Sequence, residues 1–331
     1  MKKKNVINLI KWYSENNDAA FRAEAYEIAK DFDKSGDSKL AEYIMAMLAN
    51  TDTFAPIYDE DALTFFKKVE MSHKTLLLPE VIKDDVFGIV NAVGHNIGVN
   101  KFLFQGAPGT GKTEIVQHLA RILDRELFMV DFSSVIDSKL GQTSKNIVAL
   151  FKEINELSNP QKVIVLFDEI DALALDRNNS NDLREMGRAT SSILKEFDNL
   201  NKSIVLIATT NLFDAFDKAL TRRFDSVISF NRYGREDLTE IAELILNDYL
   251  SIAKFAGSNI RLFRKIISLL DPIPYPGDLN NIIKTSIAFS NPDSKYDYLK
   301  RLYKTVSDEK VVDIKRLQKQ GFTEREIKIL T

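Results

Sequence analysis

Residues 104–113 read FQGAPGTGKT, and no other stretch constrains the fold as tightly. The apolar run KFLFQ leads into it and an amphipathic stretch follows, so a strand, a tight loop and a helix come in that order. The spacing G-x-x-x-x-G-K-[ST] is that of a loop built around phosphate. Gly106, Gly109 and Gly111 allow positive φ and turn backbone N–H groups inward, with Ala107, Pro108 and Thr110 completing the loop. The next helix presents its N-terminus to the same anion. In such a loop Lys112 reaches the β and γ phosphates and the Thr113 hydroxyl ligates Mg²⁺.

Four more apolar runs, ELFMVD, KVIVLFD, SIVLIATT and SVISF, alternate with helical patterns downstream. The second and third of these are almost continuously hydrophobic, as strands covered on both faces are. The expectation is an α/β fold with a five-stranded parallel sheet between helices. Beyond residue 230 only helical patterns remain, at 236–249, 259–270 and, after the corner DPIPYPGDL, 279–289. Ahead of the sheet, Asp18 caps a helix with Phe21, Ala25, Ile28 and Phe32 at helical spacing, ending at Ser35-Gly36. Asp37 or Ser38 caps the next, with Leu40, Ile44, Met47 and Leu48 on one face, and residues 50–61 read as a linker. The expected divisions are a helical module at 1–55, an α/β core at 56–231, a small helical domain at 232–292 and a helical tail at 293–331.

Composition narrows the class. With 331 residues the chain can bury a sizeable core, and 44% apolar with 28% charged residues is a soluble, globular balance. Absence of cysteine excludes disulfides, thiolate catalysis and cysteine-ligated zinc. A net charge of −3 provides no global basic field for nucleic acid. The apolar run after MKKK stops at Lys11, too short for a signal-peptide core, and other apolar runs are strand-sized, so the cytoplasm is the expected compartment and no membrane is engaged. His73, His95 and His118 share no metal-ligand spacing.

VIVLFDEID at 163–171 says what happens to the phosphate. Asp168 falls at the carboxyl end of a buried strand, where α/β sheets open their ligand crevice, positioned to hold Mg²⁺ through water. Glu169 beside it can polarise a water for attack on the γ phosphate, which points to hydrolysis.

With TTN at 209–211 and ALTRRFD at 219–225, the motif order over about residues 81–289 resembles the AAA+ ATPases, in the branch with a second region of homology. The resemblance implies ATP and Mg²⁺ as ligands and a helical lid after the sheet. It implies that Asn211 is a first sensor orienting the attacking water, and that Arg222 and Arg223 reach the γ phosphate of a neighbouring subunit. The family's commonest form separates the two arginines by Pro-Gly; here they are adjacent. Arg222 is assigned as the finger, and Arg223 either pairs locally with Asp225 or contacts the phosphate from a second position. PGDLNNII falls where the family carries a second sensor, but no arginine lies between Asp278 and Ser290, so Gly277 and Asp278 would back the adenine and ribose.

DSKLGQTSKNI aligns with the family's pore loop, with Lys139 in place of an aromatic residue before Leu140 and Gly141. A lysine grips arbitrary polypeptide less well than a ring, which favours a restricted remodeller over a general unfoldase. The N-terminal helices and LLLPEVI look similar to a bacterial AAA+ group encoded beside subtilisin-like serine proteases, implying such a protease as partner. The end, IKRLQKQGFTEREIKIL, resembles the opening of a helix-turn-helix through Leu317, Gly321, Thr323 and Ile327, but stops before a base-reading helix, so a packing hairpin is expected. The leading expectation is a homo-oligomeric ring, a hexamer, that hydrolyses ATP to move or remodel a protein. The alternatives are a nucleotide-gated binding module with little turnover and a DNA-associated loader-type ATPase.

Overall fold

The computed structural model describes residues 3–14, 18–37, 39–41, 44–45, 64–70, 78–95, 97–136, 141–157, 159–171, 180–215, 217–308 and 312–331. Met47, Leu48, the linker at 50–61, His73, Lys139 and Leu140 lie outside them. The chain divides into two compact units, Met1–Leu63 and Thr64–Thr331.

In the first unit α1 (Lys3–Ser14) packs on α2 (Asp18–Lys34), which buries Ala25, Ile28 and Ala29. Asn8 Nδ2 donates to Glu24 Oε2 at 2.9 Å, and Tyr13 meets Phe21 with ring centroids 6.4 Å apart. The α2 helix gives way to a turn at Ser35-Gly36, as its sequence leads one to expect.

Among its described residues the second unit is built on six strands, β1 (Phe66–Lys68), β2 (Lys101–Gln105), β3 (Glu126–Val130), β4 (Val163–Phe167), β5 (Val205–Thr210) and β6 (Ser226–Ser229), in the order β1-β3-β4-β5-β2-β6. The five apolar runs are β2 to β6, all paired in parallel. Every residue of β4 and β5 is buried, because helices cover both faces of the sheet centre. The helices between the strands are α3 (Glu80–Gly94), α4 (Lys112–Ile122), α5 (Phe132–Val135), α6 (Gln142–Asn155), α7 (Ser180–Asp198) and α8 (Lys218–Thr221). Ile82, Val86 and Ile89 of α3 and Ile115, Val116 and Leu119 of α4 close one face. An aromatic cluster closes the other: Phe167 lies 5.7 Å from Phe132, 5.7 Å from Phe151 and 6.3 Å from Phe197, which stands edge-on to Phe224 at 5.2 Å.

The sheet differs from the expected five strands by β1, which pairs antiparallel with β3, Phe66 opposite Val130. Three residues, two of them lysine, carry no readable period. Their strand is fixed from outside, by Phe66 packing edge-on to Phe128 and by Lys68 reaching Glu126 at 2.6 Å.

After β6 come α9 (Arg235–Ile252), α10 (Ile260–Ile267), α11 (Pro276–Ala288), α12 (Asp297–Ser307), α13 (Ile314–Lys319) and α14 (Glu324–Leu330). One apolar core runs through all of them, from Leu238, Leu246, Phe263 and Leu279 to Leu299, Leu317, Phe322 and Leu330. The residues that give the tail its helix-turn-helix likeness build its packing. Leu317 and Ile327 are buried, Gly321 turns the chain at φ 78°, and Thr323 closes a capping box with Glu326. Among the described residues no helix is long and apolar enough to cross a membrane.

Candidate nucleotide site

A cleft of about 230 Å³ at the carboxyl edge of the sheet brings residues 108–113 together with Asp168, Glu169, Thr209 and Asn211. The loop's shape follows from its glycines. Gly109 and Gly111 sit at φ 75° and 87°, where a Cβ is disfavoured, and Gly111 is the N-cap of α4, so the first N–H groups of that helix face the cleft. Gly106 lies against the segment after β6, where a Cβ would stand 3.0 Å from Phe230 Cβ. The outer side of the loop is tied down: Ala107 N–H donates to Asn231 Oδ1 at 2.8 Å, and Tyr233 OH donates to the Thr110 carbonyl at 2.7 Å. Burial raises the Tyr233 pKa, which keeps this donor protonated.

Lys112 is only 7% exposed. Its ammonium donates to Gly106 O at 2.7 Å, Ala107 O at 3.0 Å and Asn211 Oδ1 at 2.7 Å, which satisfies its three protons with neutral oxygens. Burial pushes its pKa below the ordinary value, against the pull of Asp168, Asp171, Glu169 and Glu114. A polyphosphate is the kind of ligand whose charge reverses that shift.

Asp168 immediately follows β4. It accepts from Thr113 Oγ1 at 3.0 and 3.2 Å and from Thr209 Oγ1 at 2.7 Å. Glu169 adopts φ 51° and donates its N–H to Thr209 Oγ1 at 2.8 Å. Asn211, just past β5, donates from Nδ2 to Glu169 Oε1 at 3.2 Å while its Oδ1 takes the Lys112 proton. The ammonium requires an oxygen and the carboxylate an N–H, so the amide orientation is chemically fixed. Lys112, Asn211 and Glu169 form one chain across the cleft.

The Thr113 hydroxyl and the Asp168 carboxylate fit Mg²⁺, which retains waters and takes one or two carboxylates together with substrate phosphates. Among the described residues no group of three or more His, Cys, Asp or Glu forms a protein-only metal cage.

The two arginines do not line this cleft. Arg222, the residue capping the end of α8, is exposed, and its side chain makes no hydrogen bond or ion pair among the described residues. Arg223 donates from Nε to Asp198 Oδ1 at 3.0 Å and from Nη2 to Asp198 Oδ2 at 3.4 Å. The expected local pair with Asp225 is not formed, because Asp225 Oδ2 accepts the backbone N–H groups of Asn100 and Lys101, each at 2.9 Å, and so braces the start of β2.

From the helical side, Gly277 N–H donates to Gly109 O at 2.8 Å at the start of α11. A Cβ on Gly277 would stand 2.8 Å from Gly109 Cα, a backbone atom. Gly277→Ala is therefore expected to lift α11 from the loop, costing about 1–3 kcal/mol of stability and weakening nucleotide binding. Thermal melting with and without nucleotide measures both, and an unchanged melting point would contradict the contact. Sequence reasoning missed Asn231 and Tyr233, whose partners lie more than a hundred residues away, and passed over the hydroxyl of Thr209 inside TTN.

Fold and cleft together define a phosphate-loop nucleoside triphosphatase with a helical bundle after the sheet. The family described as "ATPase family associated with various cellular activities (AAA)" matches residues 102–232. An uncharacterized AAA family ATPase of Sinorhizobium fredii is 32% identical over 239 residues, covering 66% of this chain and 71% of that one. A putative 26S proteasome regulatory subunit homolog of Methanothermobacter thermautotrophicus is 32% identical over 151 residues, 45% of this chain and 38% of its own. A chain of the solved E. coli MS115-1 HORMA:CdnC:Trip13 complex shares the fold, with a TM-score of 0.57 at 19% identity over 72% of this chain and 90% of that one. The chain belongs to the AAA family of ATPases, and it is an ATP-hydrolysing enzyme.

Proposed function

We propose that the protein is a Mg²⁺-dependent cytoplasmic ATPase that works as a ring of six copies and couples hydrolysis to remodelling or regulating a protein partner. The observation that carries this reading is Arg222, exposed and without a side-chain partner among the described residues, while the cleft of its own chain contains Lys112 as its cation. An unpaired guanidinium on the surface is suited to completing the site of a second copy. The solved relative belongs to a complex with other proteins, and the archaeal relative is described as a proteasome regulatory subunit homolog, which supports a protein as the partner.

In this reading residues 106–113 wrap the triphosphate, with Lys112 at the β and γ phosphates. Thr113 and Asp168 hold Mg²⁺, which when bound supplies charge neutralisation at the phosphate oxygens. Glu169 polarises the attacking water, Asn211 orients it, and Gly277 closes the nucleotide in from the lid side. The sheet with its flanking helices is the ATPase core, and the bundle from α9 to α14, which shares one apolar interior, is the lid that turns about residues 230–234 as the γ phosphate is lost.

Titrating protein concentration in an ATPase assay tests the shared site. Specific activity is expected to climb as copies assemble. A flat, low activity across the titration would favour a nucleotide-gated binding module instead.

A further inference from the structure

Strands β4 and β5 run parallel with Phe167 opposite Ala208. One residue further along come Asp168 and Thr209, so the register delivers a carboxylate and a hydroxyl to the same point at the sheet's edge. Thr209 is wholly buried. Its Oγ1 donates to Asp168 Oδ1 at 2.7 Å and accepts the Glu169 N–H at 2.8 Å. A hydroxyl has a single proton to give, so the donation to Asp168 fixes its rotation and turns a lone pair toward Glu169.

The second of these bonds matters because of the backbone it holds. Glu169 has φ 51°, a left-handed conformation that a residue with a long side chain avoids unless its surroundings impose it. Strand β4 ends at Phe167, and two residues beyond it the Thr209 oxygen receives the Glu169 N–H. Held this way, the Glu169 carboxylate meets Asn211 Nδ2 at 3.2 Å.

We propose that Thr209 is a positioning residue for ATP hydrolysis, one buried hydroxyl that aims Asp168 and holds Glu169 in its strained conformation. This rests on the reading of Asp168 and Glu169 as the hydrolytic pair. Thr209 touches neither phosphate nor water in this scheme; it acts through its two neighbours.

Thr209→Val keeps the shape and β-branching of the side chain and removes only the hydroxyl. It is expected to lower kcat about 10- to 100-fold, as loss of a supporting hydrogen bond does. Affinity for a fluorescent ATP analogue should stay within about 3-fold, separating positioning from binding. Thr209→Ser, which restores the hydroxyl, should recover most of the lost kcat. A Val variant with kcat within about 2-fold of the parent would overturn the proposal. So would a Ser variant as slow as Val, or a loss of affinity parallel to the loss of kcat, since both would make the side chain a packing element. Glu169→Gln measured alongside keeps the two readings apart. If it turns over normally, the assignment of the carboxylates fails; if it is inactive while Thr209→Val is normal, only the role of Thr209 fails.

Discussion

Glu169→Gln is expected to lower ATP turnover by about 10²- to 10⁴-fold and to leave ATP bound. The amide is nearly isosteric, and its oxygen can still accept the Asn211 Nδ2 proton that the carboxylate accepts at 3.2 Å. What disappears is the base. The Lys112 contacts and the Thr113–Asp168 pair are untouched, so affinity should survive. Phosphate release at steady state, together with the amount of ATP retained after gel filtration, measures both halves. Normal turnover in this variant would remove Glu169 from its assigned role.

Arg222→Ala should cost about 10³- to 10⁵-fold in kcat with nucleotide binding retained, the range for an arginine supplied from a neighbour. Arg223→Ala should behave differently, because it breaks an ion pair with Asp198 whose side chains are 40% and 56% exposed. Such a pair contributes at most about 1 kcal/mol to stability. A mixing experiment makes the distinction decisive. Arg222→Ala copies have an intact Glu169 and Glu169→Gln copies an intact Arg222, so a mixture of the two inactive proteins should regain activity at mixed interfaces. If mixing restores nothing, the guanidinium is not shared between copies.

Much of this molecule can be read along the chain because its determinants are contiguous. The five parallel strands announce themselves as apolar runs, since burial on both faces leaves no polar alternation in β4 or β5. The phosphate loop and the Asp168-Glu169 pair are legible for the same reason: the spacing of neighbours along the backbone sets the geometry. Asn211 stands beside Glu169 because it directly follows β5, the strand next to β4.

Relations set by tertiary contact were not legible. The Arg223–Asp198 pair joins the turn after α8 to the end of α7, and no local pattern distinguishes Asp198 from Asp225 as the partner. The Gly277–Gly109 contact joins residues far apart in sequence, and a glycine at a helix start has several ordinary explanations. Strand β1 exists through its pairing with β3 and carries no signal of its own. The residues past 293 look like a separate tail along the chain, yet the apolar core of the helices after β6 runs on through Leu299, Tyr303, Leu317 and Phe322.

That shared core has a mechanical consequence. The bundle has one continuous interior, and it meets the phosphate loop through Tyr233 at its root and Gly277 at the start of α11. In the proposed cycle, a tilt imposed at those two points would reach α13 and α14, which are built into the same interior.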